Sequence, residues 1–256
     1  MSVIAAARAL EASTFARLQD RGKGEVEYAG RAGRGWGRPG AYCDHVTTQV
    51  AGILLAAGKG SRLGQPKATV EIAGSTLAER GVALLRDGGT ALVVVVTGAI
   101  PVELPGTVEV HNPDWLTGMG SSLAAGLRAL GADFPHPDGR AADSSVPAAV
   151  DIEAAVIALA DQPLVGPESV RRLIAAYRDG ATVAVAAYAG VPRNPVLIAR
   201  EHWPAVLDLA TGDTGARPFL QAHPDLVTLV ECGDTGSPVD IDTVEDLERV
   251  RDSLRS

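Results

Sequence analysis

The chain has 256 residues, 46% of them hydrophobic and 21% charged, enough apolar material to bury the core of one large α/β domain. A formal net charge of −8 excludes a surface built to coat nucleic acid or a polybasic membrane patch, because both need an excess of lysine and arginine to displace counterions. Two cysteines, Cys43 and Cys232, lie in different kinds of segment and exclude a disulfide framework or a cysteine-ligated metal centre, so they read as bystander thiols.

The N-terminus has no basic region followed by a long apolar core, and no apolar run reaches the ~18 residues that span a bilayer, so the expectation is a cytoplasmic protein with a small ligand. Ala5 to Leu18 has the composition of one short helix. Arg21 to Gly40 carries seven glycines without periodicity. Such a stretch cannot offset the entropy of ordering, so residues 1–49 are expected to form a disordered or weakly ordered extension. From residue 50 to 256 short apolar runs alternate with helical stretches, which predicts a mostly parallel, Rossmann-like sheet flanked by helices. The predicted strands are Val50 to Ala56, Ala91 to Thr97, Thr107 to His111, Ala154 to Ala160 and Thr182 to Ala187. Helices are predicted over Thr76 to Arg86, Ser121 to Leu130, Glu168 to Arg178, Thr214 to Ala222 and Thr243 to Leu254. Ser75, Pro167 and Asp242 stand at or near helix starts, as capping preferences require. The segment Gly131 to Asp151 is polar, rich in Pro, Asp and Ala, and reads as a surface insertion.

Four stretches carry chemistry. LAAGKGSRLGQPK, Leu55 to Lys67, follows the first strand and holds Gly58, Gly60 and Gly64. Leu63 stands where a dinucleotide fingerprint needs its third glycine, and Gln65 where a P-loop needs lysine. What remains is a backbone able to form an anion nest, with Arg62 and Lys67 adding positive charge suited to a triphosphate. In LADQP, Leu159 to Pro163, Asp161 sits at the carboxyl end of a strand, where open α/β sheets bind ligands and a carboxylate can hold Mg²⁺. The plainer reading is an aspartate that opens a turn before Pro163. In VDIDTVEDL, Val239 to Leu247, Asp240 and Asp242 alternate with Ile241, so an extended chain turns both carboxylates to one side, where they could complete a cation site with Asp161. Asp242 could instead cap the last helix with Glu245 as capping-box partner, and both readings hold together if Asp240 is the ligand and Asp242 the cap. In HNPDWLTGMGSSL, His111 to Leu123, Asn112 follows a strand and Gly118, Gly120 and Ser121 lead into a helix N-terminus that favours anions. Trp115 reads first as packing and second as the wall of a base or pterin pocket. His111 has no Ser or Cys partner at recognisable spacing, so no hydrolase triad is proposed.

The order of these stretches, with GDTGARPFL (Gly212 to Leu220) between LADQP and DIDTVEDL, resembles the successive signatures of the MobA-like nucleotidyltransferases. Within them it is most similar to the molybdenum cofactor cytidylyltransferases, over roughly Val50 to Arg251. Ala57 and Gln162 match the cytidylyl branch. The resemblance implies that the backbone of Leu55, Ala56, Ala57, Gly58 and Gly60 frames base and phosphates and that Arg62 and Lys67 neutralise the triphosphate. It also implies that Asp161 with Asp240 or Asp242 holds Mg²⁺. Transfer of CMP from CTP to a phosphorylated acceptor, molybdopterin, would follow, with the acceptor near Asn112, Gly118, Ser121, Gln162 and Asn194. It leaves room for a molybdoenzyme or chaperone partner. Asn194 stands where such proteins often have histidine, which bears on the acceptor, and Val244 where proline is usual. Some proteins with this signature carry the name nicotine blue oxidoreductase, so a rival is an enzyme using NAD(P)H, against which the missing dinucleotide fingerprint counts. A nucleotide sensor without turnover is a second rival, and the three aspartates count against it.

Overall fold

A computed structural model describes residues 49–131 and 152–255. The expected N-terminal extension and short helix, Cys43 and nearly all of the insertion expected over Gly131 to Asp151 lie outside these residues.

Seven strands form one sheet in the order β5-β4-β1-β6-β8-β7-β9. They are β1 (Gln49–Leu55), β4 (Val93–Thr97), β5 (Val108–His111), β6 (Ile152–Leu159), β7 (Val183–Tyr188), β8 (Val191–Ala199) and β9 (Val227–Glu231). A two-stranded hairpin, β2 (Glu71–Ile72) and β3 (Ser75–Thr76), stands apart. Only β8 runs against the rest, antiparallel to both β6 and β7. The other pairings are parallel, in line with the expected mostly parallel sheet.

The central strands β1, β4, β6 and β7 are buried on both faces because their sequences are largely apolar. Leu54, Val93, Val95 and Val156 point to one side, and Ile53, Val94, Val96 and Ile157 to the other. The first face is covered by α1 (Leu77–Asp87) and α3 (Pro167–Arg178), through residues such as Leu85 and Leu173. The second is covered by α2 (Met119–Leu130), α4 (Trp203–Leu209) and α5 (Arg217–Ala222), through Leu123, Leu127, Trp203 and Phe219. The last helix, α6 (Val244–Ser253), belongs to neither layer. With Leu247 and Val250 it packs on Val70, Ile72 and Leu77 of the hairpin region, and Ile241 joins the same cluster.

Beyond the additional elements β2, β3, β9 and α4, two departures from the sequence reading concern β8 and the cap of the last helix. The segment with Pro192 and Pro195 is the amino-terminal half of β8, yet its prolines fall before pairing to β6 begins at Val196, and a register shift in β7 accommodates them. The last helix is capped one residue later than expected. Thr243 accepts from the Asp246 backbone and Asp246 from that of Thr243, so Thr243 and Asp246, rather than Asp242 and Glu245, make the capping box. The carboxylate of Asp242 is committed elsewhere.

Candidate active site

β1 and β6 are neighbours in the sheet, but the chain leaves β1 toward β4 and later returns to β6 on the other side. This is the switch point at which open α/β sheets form a crevice at the carboxyl ends of their strands. The glycine loop leaves β1 there, and Asp161 follows β6 there.

Leu55 and Ala56 are buried and still in the ladder: the Leu55 carbonyl accepts from the Ala160 amide, and the Ala56 amide donates to Val96. The loop proper begins at Gly58 and Lys59, both exposed. It closes on itself where the Lys67 amide donates to the Gly58 carbonyl at 3.2 Å. Gly60 has φ +61°, and a Cβ there would lie 2.1 Å from the Gln65 carbonyl oxygen, so no other residue fits this turn. The closure brings Lys67 back beneath the loop at the start of a 3₁₀ turn, Lys67–Thr69.

The loop after β6 and the segment before α6 are laced together. The Ile241 amide donates to the Asp161 carbonyl at 2.8 Å and the Ser237 amide to Leu164 at 2.9 Å. Gln162, 5% exposed, donates through Nε2 to Asp240 Oδ1 at 2.8 Å. This lacing sets Asp161 and Asp242 on either side of Lys67, whose Nζ donates to Asp161 Oδ2 at 2.7 Å and to Asp242 Oδ1 at 2.6 Å. Arg62, largely exposed, approaches the other oxygen of Asp242 at 3.3 Å.

Burial opposes the charge on Lys67, but the two carboxylates outweigh it and hold the ammonium above the usual lysine range. The bond from Lys67 holds the Asp242 carboxyl below the usual aspartate range. Burial pushes Asp240 the other way, with Asp161 and Asp242 adding repulsion against the Gln162 bond. Asp161 Oδ1 is buried and has no hydrogen-bond partner. A buried carboxylate oxygen left unmatched needs an explanation, and a hard cation or a ligand donor would supply one.

The fit to a divalent cation is that of a shared site. Among the described residues no group of three His, Cys, Asp or Glu side chains is arranged to hold a metal ion. Mg²⁺ in nucleotide enzymes needs less, since one or two carboxylates hold it together with substrate phosphates. Asp161 and Asp242 meet that requirement, and Asp240 is engaged with Gln162 instead.

The residues expected at the acceptor side divide. Asn112, 3% exposed, spends its amide on the structure: Nδ2 donates to Ser121 Oγ at 2.9 Å and to Ser122 Oγ at 3.1 Å, and Oδ1 accepts from the Asp114 amide. It fixes the turn into α2. Gly118, at φ +116°, lies so close to the GDTGAR turn that a Cβ would meet the Gly212 carbonyl carbon at 2.3 Å. That turn, marked in the sequence only by the family resemblance, lies beside the α2 start, and its two glycines at positive φ, Gly212 and Gly215, are its local signal. Trp115 packs over Gly98, which agrees with the packing reading. Asn194 is half-buried in the first half of β8, and because β8 is antiparallel it lies toward the carboxyl ends of the parallel strands.

A family model for the MobA-like NTP transferase domain matches residues 52–227. The nicotine blue oxidoreductase of Paenarthrobacter nicotinovorans is 35% identical over 215 residues, spanning 78% of this chain and 96% of that relative. Among solved structures, the Mycobacterium sp. strain JC1 homologue of Mycobacterium tuberculosis Rv0371c superposes with a TM-score of 0.64 at 30% identity, covering 80% of this chain and 96% of that one. The M. tuberculosis H37Rv protein Rv0371c in complex with manganese gives 0.59 at 25% identity, covering 80% of this chain and 100% of that one. This chain belongs to the family of the MobA-like NTP transferase domain.

Proposed function

We propose that the protein is a metal-dependent nucleotidyltransferase that moves CMP from CTP onto a phosphorylated acceptor of the molybdopterin type and releases pyrophosphate. The observation that carries this reading is Lys67 held between Asp161 and Asp242 beneath the glycine loop, at the crevice between β1 and β6. In-line transfer asks for no protein nucleophile. An oxygen of the acceptor phosphate bonds to the α-phosphorus while the bond to the α,β-bridging oxygen breaks, and that electron pair leaves with pyrophosphate. The chain then contributes position and charge. Backbone amides from Gly58 onward cradle the phosphates, Arg62 and Lys67 neutralise them, and Asp161 and Asp242 hold the cation. When bound, Mg²⁺ would supply positive charge shared between phosphate oxygens. The manganese held by a mycobacterial relative supports a divalent cation. The preference for CTP rests on Ala57 and Gln162, and the acceptor on the family resemblance. Asn112, Gly118 and Ser121 shape the acceptor side, and Asn194, in the first half of β8, lies toward the carboxyl ends of the parallel strands.

The test is pyrophosphate release from CTP, GTP, ATP and UTP with Mg²⁺, with and without molybdopterin, beside an Asp161→Ala control. Release from CTP that needs the acceptor and vanishes in the variant is the expected result. Release from another triphosphate would correct the base, and no release from any would reject the transfer. A second reading, reduction of a dye-like substrate by NAD(P)H, is favoured by the name of the 35% identical relative. Its signature is substrate-dependent loss of NAD(P)H absorbance.

A further inference from the structure

We infer that Lys67 is a resident counterion which makes the divalent cation and the nucleotide bind as one unit. The inference rests on the transfer reading above and concerns what the site does before substrate arrives. The Lys67 ammonium lies 2.6 Å from one carboxylate and 2.7 Å from the other, so it fills the position of a cation bridging Asp161 and Asp242. The two carboxylates come from segments that meet only through tertiary structure, and Lys67 is the group that holds their charges together. A divalent cation that takes the two oxygens now held by Lys67 must expel this ammonium, and one that takes the free Asp161 Oδ1 still stands beside it, so in either case like-charge repulsion opposes the bare metal. The expelled Lys67 then loses both ion pairs. Nearby acids offer no substitute: Asp240 is bonded to Gln162, and Asp161 Oδ1 is buried where Lys67 makes no bond to it. A cation arriving with a triphosphate changes the balance, because the phosphates become the new partner of the displaced lysine. The site would thus bind bare metal weakly and metal with nucleotide strongly, and by reciprocity the nucleotide would gain from the metal by the same factor. Arg62, largely exposed and touching only the outer oxygen of Asp242, is placed to follow the phosphates without first leaving a buried pair.

The experiment is titration of Mn²⁺, with free ion read by electron paramagnetic resonance, against the full chain and its Lys67→Met variant, each with and without a non-hydrolysable CTP analogue. The variant should bind Mn²⁺ alone at least about tenfold more tightly than the native chain, and the analogue should raise Mn²⁺ affinity about tenfold more in the native chain than in the variant. Equal affinities for Mn²⁺ alone overturn the inference. A second measurement needs no variant. Acylation of Lys67 in the native chain, followed by mass spectrometry, should quicken severalfold with Mn²⁺ alone and slow again when the analogue is added, and a rate unmoved by Mn²⁺ overturns the inference. Failure here and failure of the transfer reading remain distinct. Pyrophosphate release with Mn²⁺ affinity indifferent to Lys67 rejects only the counterion role, whereas the expected Mn²⁺ behaviour without release from any triphosphate rejects only the transfer.

Discussion

Lys67 is bonded to carboxylates that lie 94 and 175 residues away along the chain, and its side chain is mostly buried between them. A charge in such a place is stabilised only while both partners remain, so changes here act on chemistry and on local structure together. Lys67→Ala and Asp161→Ala should each lower the rate of pyrophosphate release by about a hundredfold or more, as loss of one transition-state electrostatic contact does. Near-native rates in both would reject the assignment. The structure also separates the two aspartates that the sequence left equivalent. Asp242→Asn should approach the loss expected for Asp161→Ala, while Asp240→Asn, which disturbs only the bond to Gln162, should cost less in rate and more in thermal stability. Steady-state rates and melting temperatures of the two variants decide it. A larger rate loss in Asp240→Asn would exchange their roles.

The glycine loop illustrates how an element turns sequence into geometry. Its signature was legible because Gly60 alone can take φ +61° against the Gln65 carbonyl. Gly60→Ala should therefore open the loop, lift Lys67 away from Asp161 and abolish nucleotide binding, read by isothermal titration with CTP. Retained affinity would mean that the loop does not hold the phosphates. Strand and helix runs were legible for an equally local reason: the stretches Val50 to Ala56, Ala91 to Val96 and Ala154 to Ala160 are apolar without a break, and α1 and α3 have helical periodicity with a capping threonine or a proline at the first turn. β8 was not legible. No strand was expected across Pro192 and Pro195, which withhold ladder donors, and pairing to β7, with pairing to β6 beyond the prolines, makes the segment a strand. The cap of α6 shifted for a tertiary reason as well, since Lys67 claims Asp242 and the next residue, Thr243, takes its place. Thr243→Ala should cost about 1 kcal/mol of stability, the usual value of an N-cap, measured by chemical denaturation. Because α6 packs on the hairpin that follows the glycine loop, weaker CTP binding should accompany it.

At the scale of the molecule, the cluster at the β1–β6 crevice makes stability depend on acid. The folded-state pKa of Asp242 lies below its ordinary value of 3.8, so its contribution is whole above that value and is lost as pH falls through the folded pKa. Asp240 has the opposite sign: its raised pKa means that protonation favours the folded state, which softens the loss at the top of the same range. The melting temperature should therefore fall less steeply for Asp242→Asn than for the native chain when pH is lowered from about 6 to about 3. Identical slopes would mean that the ion pair with Lys67 is not formed in solution. No helix among the described residues is long and apolar enough to cross a membrane. The sequence by itself determined the alternation of strand and helix, the glycine turn and the carboxylates available to the site, because these follow from backbone sterics and from side-chain periodicity over a few residues. Only the tertiary structure decided that Asp242, not Asp240, joins Asp161 at Lys67, that Asn112 and Gln162 hold the frame, and that β8 enters the sheet in reverse. Those outcomes depend on which segments are neighbours across the fold, and no local pattern encodes that.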